Sequence, residues 1–344
     1  MDIIKKLQKD PDLWDLFTRK EEYNPSIRDQ YDRFSYYMSG CRNIFEPITS
    51  KYLVEQGYHA EYPENKPFAV CLTHDTDVLY ETKRIKIIGA LGHLYNAHFS
   101  QCIDSLAQIR SKKLPWWNFS DIRELEDLYD AKSSFYFMVE DRNDQDYNYN
   151  IEDCELIMGE LSDGGWEIGL HGGHSAYNNV SELKEKKQRL EKVLNKNVVG
   201  YRNHYLRFRI PDTWEHLHAA GFQYDATLGY ADCIGFRNGM CHPFKPYNLT
   251  TQCEIDILEI PLNIMDNTLK AYMKLDAATS WEMTKRLIDT VERYHGVISL
   301  LWHNQMLIGD QRKFYEKILK YCAEKNAWMT SGKEIASWIE HNRL

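Results

Sequence analysis

The feature that most restricts what this chain can fold into is an ordered alternation, from Pro67 onward, of short apolar runs with helix-compatible stretches. The run FAVCLTHD (68–75) is rich enough in apolar residues for a buried parallel strand, and a long helix-compatible stretch follows from about Lys83 to Lys113. SSFYFMVE (133–140), WEIGLH (166–171), VVGYRNH (198–204), QYDAT (223–227), IDILEIP (255–261) and GVISLLWH (296–303) read as further strands. Between them, 151–165 reads as a helix closed by glycines and 181–195 as a charged amphipathic helix. The stretch 210–221 reads as a helix with Pro near its start and Gly at its end, and more helices are expected at 280–294, 311–325 and 332–342. Strands separated by helices build βαβ units on a parallel sheet. About seven such strands between 67 and 330 favour a barrel over an open sheet. Residues 1–60 lack a strong strand and read as a helical, Tyr-rich N-terminal extension, leaving 61–344 for the barrel.

Charge and composition exclude several functions. With 42 Lys+Arg against 51 Asp+Glu, the net charge is −9, and no basic block is present; nucleic acid is therefore not the expected partner. The start of the chain, MDIIKKLQKDPDLWDLF, lacks the apolar core of a signal peptide, and nowhere do enough apolar residues run together to span a membrane. The eight cysteines form no C-x-x-C pair, and several lie in apolar runs where a buried free thiol is usual. A reducing, cytoplasmic location is expected.

The polar residues that stand out sit at strand ends. Thr73-His74-Asp75-Thr76-Asp77 closes the first strand, and His171-Gly172-Gly173-His174-Ser175 the third. Arg202-Asn203-His204-Tyr205 closes the fourth, Asp225 the next, and Trp302-His303-Asn304 the last. In an α/β barrel these ends converge on one rim, where catalytic groups sit. Carboxylates and imidazoles gathered there suit a divalent metal with an open position, zinc or another first-row ion. A second carboxylate can then act as general base and a separate His as general acid, while Arg202 is placed to hold the base. Gly172-Gly173 suits a loop bringing backbone close to a ligand. Each motif alone has a plainer explanation: a cap for D-x-D, a hydrogen-bonded structural His, a surface pair for Arg202, a core edge for Trp302. Their order within one βα pattern carries the functional reading.

That order resembles the polysaccharide deacetylases of the NodB-homology type, carbohydrate esterase family four. Thr73-His74-Asp75-Thr76-Asp77 resembles a D-x-D variant of the first motif, and Trp166-Glu167-Ile168-Gly169-Leu170-His171 the second. Arg202-Asn203-His204-Tyr205 resembles R-x-P-Y, Tyr224-Asp225-Ala226-Thr227 the fourth motif, and Leu300-Leu301-Trp302-His303 the fifth. The resemblance covers about 67–335 and implies a distorted (β/α)7 barrel that hydrolyses the acetamido group of a sugar with a divalent metal, most readily zinc. It implies Asp75 as base, Asp77, His171 and His174 as metal ligands, and His303 as acid. Arg202 would then orient Asp75, Asp225 would orient His303, and a backbone N–H near Tyr205 would stabilise the oxyanion.

Two departures stand out. The family spaces its metal histidines four apart, whereas His171 and His174 are three apart, a spacing that still shares one face if the segment turns helically. His204 replaces the family's Pro, and is an alternative third ligand or a substrate contact. Tyr205, His204, Trp302 and Trp117 are expected to contact a carbohydrate substrate, and Trp116-Trp117-Asn118-Phe119 and the loop 235–244 to supply aromatic and polar groups to its pocket. Hydrolysis of another non-peptide C–N bond, or glycan binding by a decayed site, would be the alternatives.

Overall fold

The computed structural model describes residues 2–25, 27–79, 117–141 and 147–342. The expected helix at 83–113, Trp116, Cys102 and the middle of the polar loop 141–150 lie outside the described residues.

The predicted strands form one parallel sheet. Its members are β1 (Ala69–Thr76), β2 (Ser134–Met138), β3 (Glu167–Gly172), β4 (Gly200–Asn203) and β5 (Tyr224–Asp225). After a small antiparallel hairpin, β6 (Tyr247–Asn248) and β7 (Cys253–Glu254), the sheet continues with β8 (Leu258–Glu259), β9 (Ile264–Met265), β10 (Val297–Leu301) and β11 (Trp328–Thr330). The order is β8-β5-β4-β3-β2-β1-β10-β9, with β11 also paired to β1. Every residue of β1, β2, β3 and β10 is buried, which is why these segments read as unbroken apolar runs.

The sheet curls into an incomplete barrel. The chain itself crosses the gap between its edges: Leu262 N donates to Leu228 O, and Asn263 N to Ser299 O, on the way from β8 to β9. Outer helices follow in order: α1 (Ile3–Leu7), α2 (Pro11–Phe17), α3 (Ile48–Glu55), α4 (Phe119–Asp127), α5 (Glu155–Asp163), α6 (Val180–Leu194), α7 (Asp212–Ala219), α8 (Ala277–Arg293), α9 (Gly309–Glu324) and α10 (Gly332–His341). Their ends are chemically marked. Asn179 caps α6 through Glu182 N, and Asn195 ends it in the left-handed conformation; Asp276 caps α8 and Ser331 caps α10. Two short strands, β9 and β11, and the β6–β7 hairpin were not expected from the sequence.

The N-terminal residues are fastened to the barrel by buried charge. Glu22 accepts from Arg19 Nε at 2.7 Å and Arg237 Nε at 3.0 Å, and Arg19 Nη1 donates to the Arg237 carbonyl at 2.6 Å. Burial alone would raise the Glu22 carboxyl, but the two guanidiniums hold it below the usual range. The loop 235–244 was expected to face a substrate; Phe236, Arg237, Asn238, His242 and Phe244 are instead buried against this N-terminal layer. Gly235 and Gly239 have φ of +124° and +71°, and a Cβ on either would strike Ile44 O at 2.4 Å or Thr49 Oγ1 at 2.6 Å. A composition of aromatic and polar residues cannot distinguish a pocket from such a junction.

His242 makes this junction acid-sensitive. It is buried between Ser50 Oγ (2.9 Å) and the Tyr294 carbonyl (3.0 Å), and burial, only partly offset by its carbonyl partners, lowers its pKa to about 4. An unfolded His takes up a proton near pH 6.5 and the folded one only near 4, so stability falls as pH drops through that window. The expected loss is about 3 kcal/mol by pH 4. Urea unfolding of His242→Gln at pH 7 and pH 4.5 checks it: the variant should lose much of the wild type's acid sensitivity.

Candidate metal centre

The C-terminal ends of β1, β3, β4 and β10 meet at one rim, as the strand-end motifs require. Asp77 follows β1, His171 lies in β3, and His204 follows β4. Asp77 Oδ1 is 3.0 Å from His171 Nε2 and 3.4 Å from His204 Nδ1, and the two nitrogens are 3.2 Å apart. All three side chains are buried. Burial works against the Asp77 charge, but His204, His171 and His303 outweigh it and hold the carboxyl well below its usual range.

These residues fit a divalent ion. Bonds of about 2.0–2.1 Å to a tetrahedral zinc would put ligand atoms roughly 3.3–3.4 Å apart, close to the spacing observed. The His171 tautomer agrees with this. Its Nδ1 lies 3.1 Å from the Arg202 carbonyl, which can only accept a hydrogen bond, so in the neutral ring Nδ1 carries the hydrogen and the Nε2 lone pair points at Asp77 and His204. Three electron-rich atoms facing one another need a cation between them or protons on them.

The third member is His204. His171 is part of a strand, whereas His174 sits in the turn beyond Gly172, so the helical spacing that would place them on one face does not apply. His174 is half-buried, its ring edge-on to His204 with centroids 5.2 Å apart. The two glycines admit protein groups: a Cβ on Gly172 would lie 1.9 Å from Tyr201 Oη, and one on Gly173 2.3 Å from Glu140 Oε1.

His303 follows β10 and is 7% exposed, with Nε2 3.6 Å from Asp77 Oδ2. Its Nδ1 bonds Asp266 Oδ1 at 2.7 Å, and its backbone N–H bonds Asp266 Oδ2 at 2.8 Å. Burial disfavours its charge, but Asp266, then Asp77 and Asp75, raise its pKa to about 10, leaving Nε2–H pointed at the cluster. Asp75 is 2% exposed; its Oδ2 lies 3.6 Å from His171 Nε2, and Oδ1 has no hydrogen-bond partner among the described residues.

Several of the expected site residues make contacts other than those expected of them. Asp225, taken to orient His303, instead accepts from Thr227 Oγ1 at 2.5 Å, and burial raises both its carboxyl and that of neighbouring Glu259. The strand order explains this: β9, which leads into Asp266, is paired with β10, and β5 is not. Arg202 is fully buried, donates to Thr73 Oγ1 at 3.0 Å and lies over the Tyr136 ring; it makes no ion pair with Asp75 among the described residues. Trp302 belongs to the core, stacked on Phe314 at 5.9 Å, and is not open to a substrate. Trp117 is half-buried, packed edge-on against Phe119 at 5.5 Å. Tyr205 does reach the rim, its ring 4.1 Å from His204. His74 bridges the Trp302 carbonyl and Glu126 Oε1, both at 2.8 Å, behind the site.

No protein-family model and no curated protein matches the chain. Solved structures do. A crystal structure from Mycobacterium smegmatis, assigned as a polysaccharide deacetylase, superimposes with a TM-score of 0.56 at 17% identity, covering 83% of this chain and 94% of that one. A polysaccharide deacetylase from Bacillus cereus gives a TM-score of 0.40 at 14% identity over 77% of this chain and 91% of its own. A pseudoenzyme of carbohydrate esterase family four from Bacillus anthracis gives 0.39 at 13% identity over 79% and 66%. The fold of this chain is therefore the distorted (β/α)7 barrel of the polysaccharide deacetylases, carried by a divergent sequence.

Proposed function

We propose that the chain is a metal-dependent de-N-acetylase acting on an N-acetylated sugar of a glycan or glycan precursor. The observation that carries this reading is the meeting of Asp77 Oδ1, His171 Nε2 and His204 Nδ1 within 3.0–3.4 Å, flanked by Asp75 and His303. In this reading those three side chains hold the ion, zinc being the first choice for such a donor set. When bound, such an ion polarises a carbonyl and lowers the pKa of a water.

The chain's own residues supply the proton transfers. Asp75 takes a proton from the attacking water as its oxygen bonds to the acetyl carbon. The Tyr205 backbone N–H, next to His204, is assigned to the developing oxyanion. His303, held by Asp266, gives its Nε2 proton to the departing nitrogen as the C–N bond breaks, releasing acetate and the free amine. Arg202 and Asp225 lie further back, fully buried beneath the rim. Residues 1–60 form an extension of a single barrel unit, 61–344.

We place this activity in the cytoplasm. Every described cysteine is a free thiol, with Cys71, Cys154, Cys233, Cys241 and Cys322 buried, as a reducing compartment allows. No helix among the described residues is long and apolar enough to cross a membrane.

Acetate release from N-acetylated oligosaccharides tests the reading. Chelation should abolish it, zinc should restore it, and Asp75→Asn should lower it by about 10²–10⁴-fold. Acetate release untouched by chelation, activity confined to non-sugar amides, or glycan binding with no turnover would each reject it.

A further inference from the structure

His204 occupies a turn that a side-chain-bearing backbone does not adopt unaided. Tyr205 and Leu206, directly after it, have φ of +59° and +54°. Consecutive left-handed, non-glycine residues are strained and persist only where the surroundings hold them. The holding groups come from far away in sequence. Arg33 Nη1 donates to the Tyr205 carbonyl at 2.9 Å, and the Tyr31 ring stacks on the Tyr205 ring, centroids 4.4 Å apart and 16° from parallel.

Arg33 is itself fixed. It is buried, its guanidinium lies over Tyr31 at 4.8 Å, and its Nε and Nη2 meet Asp29 Oδ2 at 2.8 and 2.7 Å. Asp29 Oδ1 accepts from the backbone N–H of Tyr31 and Arg33 at 2.9 and 3.0 Å, closing the segment on itself. Nearby, Arg28 donates to the Phe208 carbonyl at 3.2 Å, and Asp32 accepts from Arg209 and from Tyr177, which precedes β4, so 28–33 also holds Phe208 and Arg209 beyond the turn.

We infer that Arg33 is a positioning residue for the metal centre: by binding the Tyr205 carbonyl it holds the turn that aims His204 at Asp77 and His171. The N-terminal segment thereby completes the site. This rests on His204 being a ligand, as proposed above.

The test titrates chelator-treated full-length protein with Zn²⁺ against a chromophoric competitor, and with Co²⁺ by visible absorption. Arg33→Ala and Asp29→Asn should each weaken binding about 10- to 100-fold, the usual cost of losing a group that orients a ligand, and alter the cobalt spectrum. Lys20→Ala, exposed on the same N-terminal stretch, should change neither. Thermal melting verifies folding, and Asp29→Asn decides the matter if Arg33→Ala does not fold. Wild-type affinity and spectrum in the folded variants, with His204→Ala losing the ion, would overturn the positioning role alone. Wild-type affinity in His204→Ala would overturn the ligand assignment and the positioning role together.

Discussion

Asp77→Ala is expected to lose zinc affinity by more than a hundredfold and to reduce acetate release to background, while Asp75→Asn keeps the ion and loses turnover. The separation follows from geometry. Asp77 Oδ1 is the anionic corner of the triangle with His171 and His204, and removing it leaves two neutral imidazoles to hold a divalent cation. Losses of 10- to 100-fold are usual for partners that merely orient ligands, so deleting a ligand should exceed them. Asp75 has one oxygen near His171, at 3.6 Å, and another with no partner among the described residues, which suits a proton acceptor better than a ligand. Metal content by atomic absorption after gel filtration, beside acetate assays, separates the two variants. Equal metal content in wild type and Asp77→Ala would contradict the assignment.

The second large effect concerns the acid. His303→Gln should lower kcat by about 10²–10⁴-fold with little change in metal content, since His303 lies beside the triangle and not within it. Asp266→Asn should leave the acid present but change its working range. The wild-type pKa is raised to about 10 against the opposing effect of burial, chiefly by Asp266. A raised pKa keeps the imidazolium protonated to higher pH, so activity that needs the proton is lost only as pH rises through it. Neutralising Asp266 removes the main raising influence and should move the alkaline limb of kcat/KM down by about 1–3 units. An unmoved limb in Asp266→Asn would mean that the group titrating there is not His303.

Much of this site was legible in the sequence because β1, β3, β4 and β10 are buried and parallel. Their apolar runs end abruptly in Asp77, His171, His204 and His303, and parallel strands put those ends on one rim. What was missed depended on contacts between distant segments. Asp266 follows a strand of only two residues, Ile264–Met265, too short to show any periodicity, and its partnership with His303 depends on strand order. The choice of His204 over His174 depends on a strand ending at Gly172 and on a left-handed turn held by Arg33, neither written in local spacing. Trp302 reads as a rim aromatic because it adjoins His303, yet its ring turns inward onto Phe314. The loop 235–244 has the composition of a glycan pocket, but the N-terminal layer covers it through Glu22 and Arg237.

The most direct test of the whole account is anomalous diffraction at the zinc edge from crystals grown with zinc. The expected result is one strong peak bonded to Asp77, His171 and His204 at about 2.0–2.2 Å, with Asp75 and His303 beside it and His174 outside the ligand set. A peak held by His174 in place of His204, or no peak at this rim from protein saturated with zinc, would contradict it.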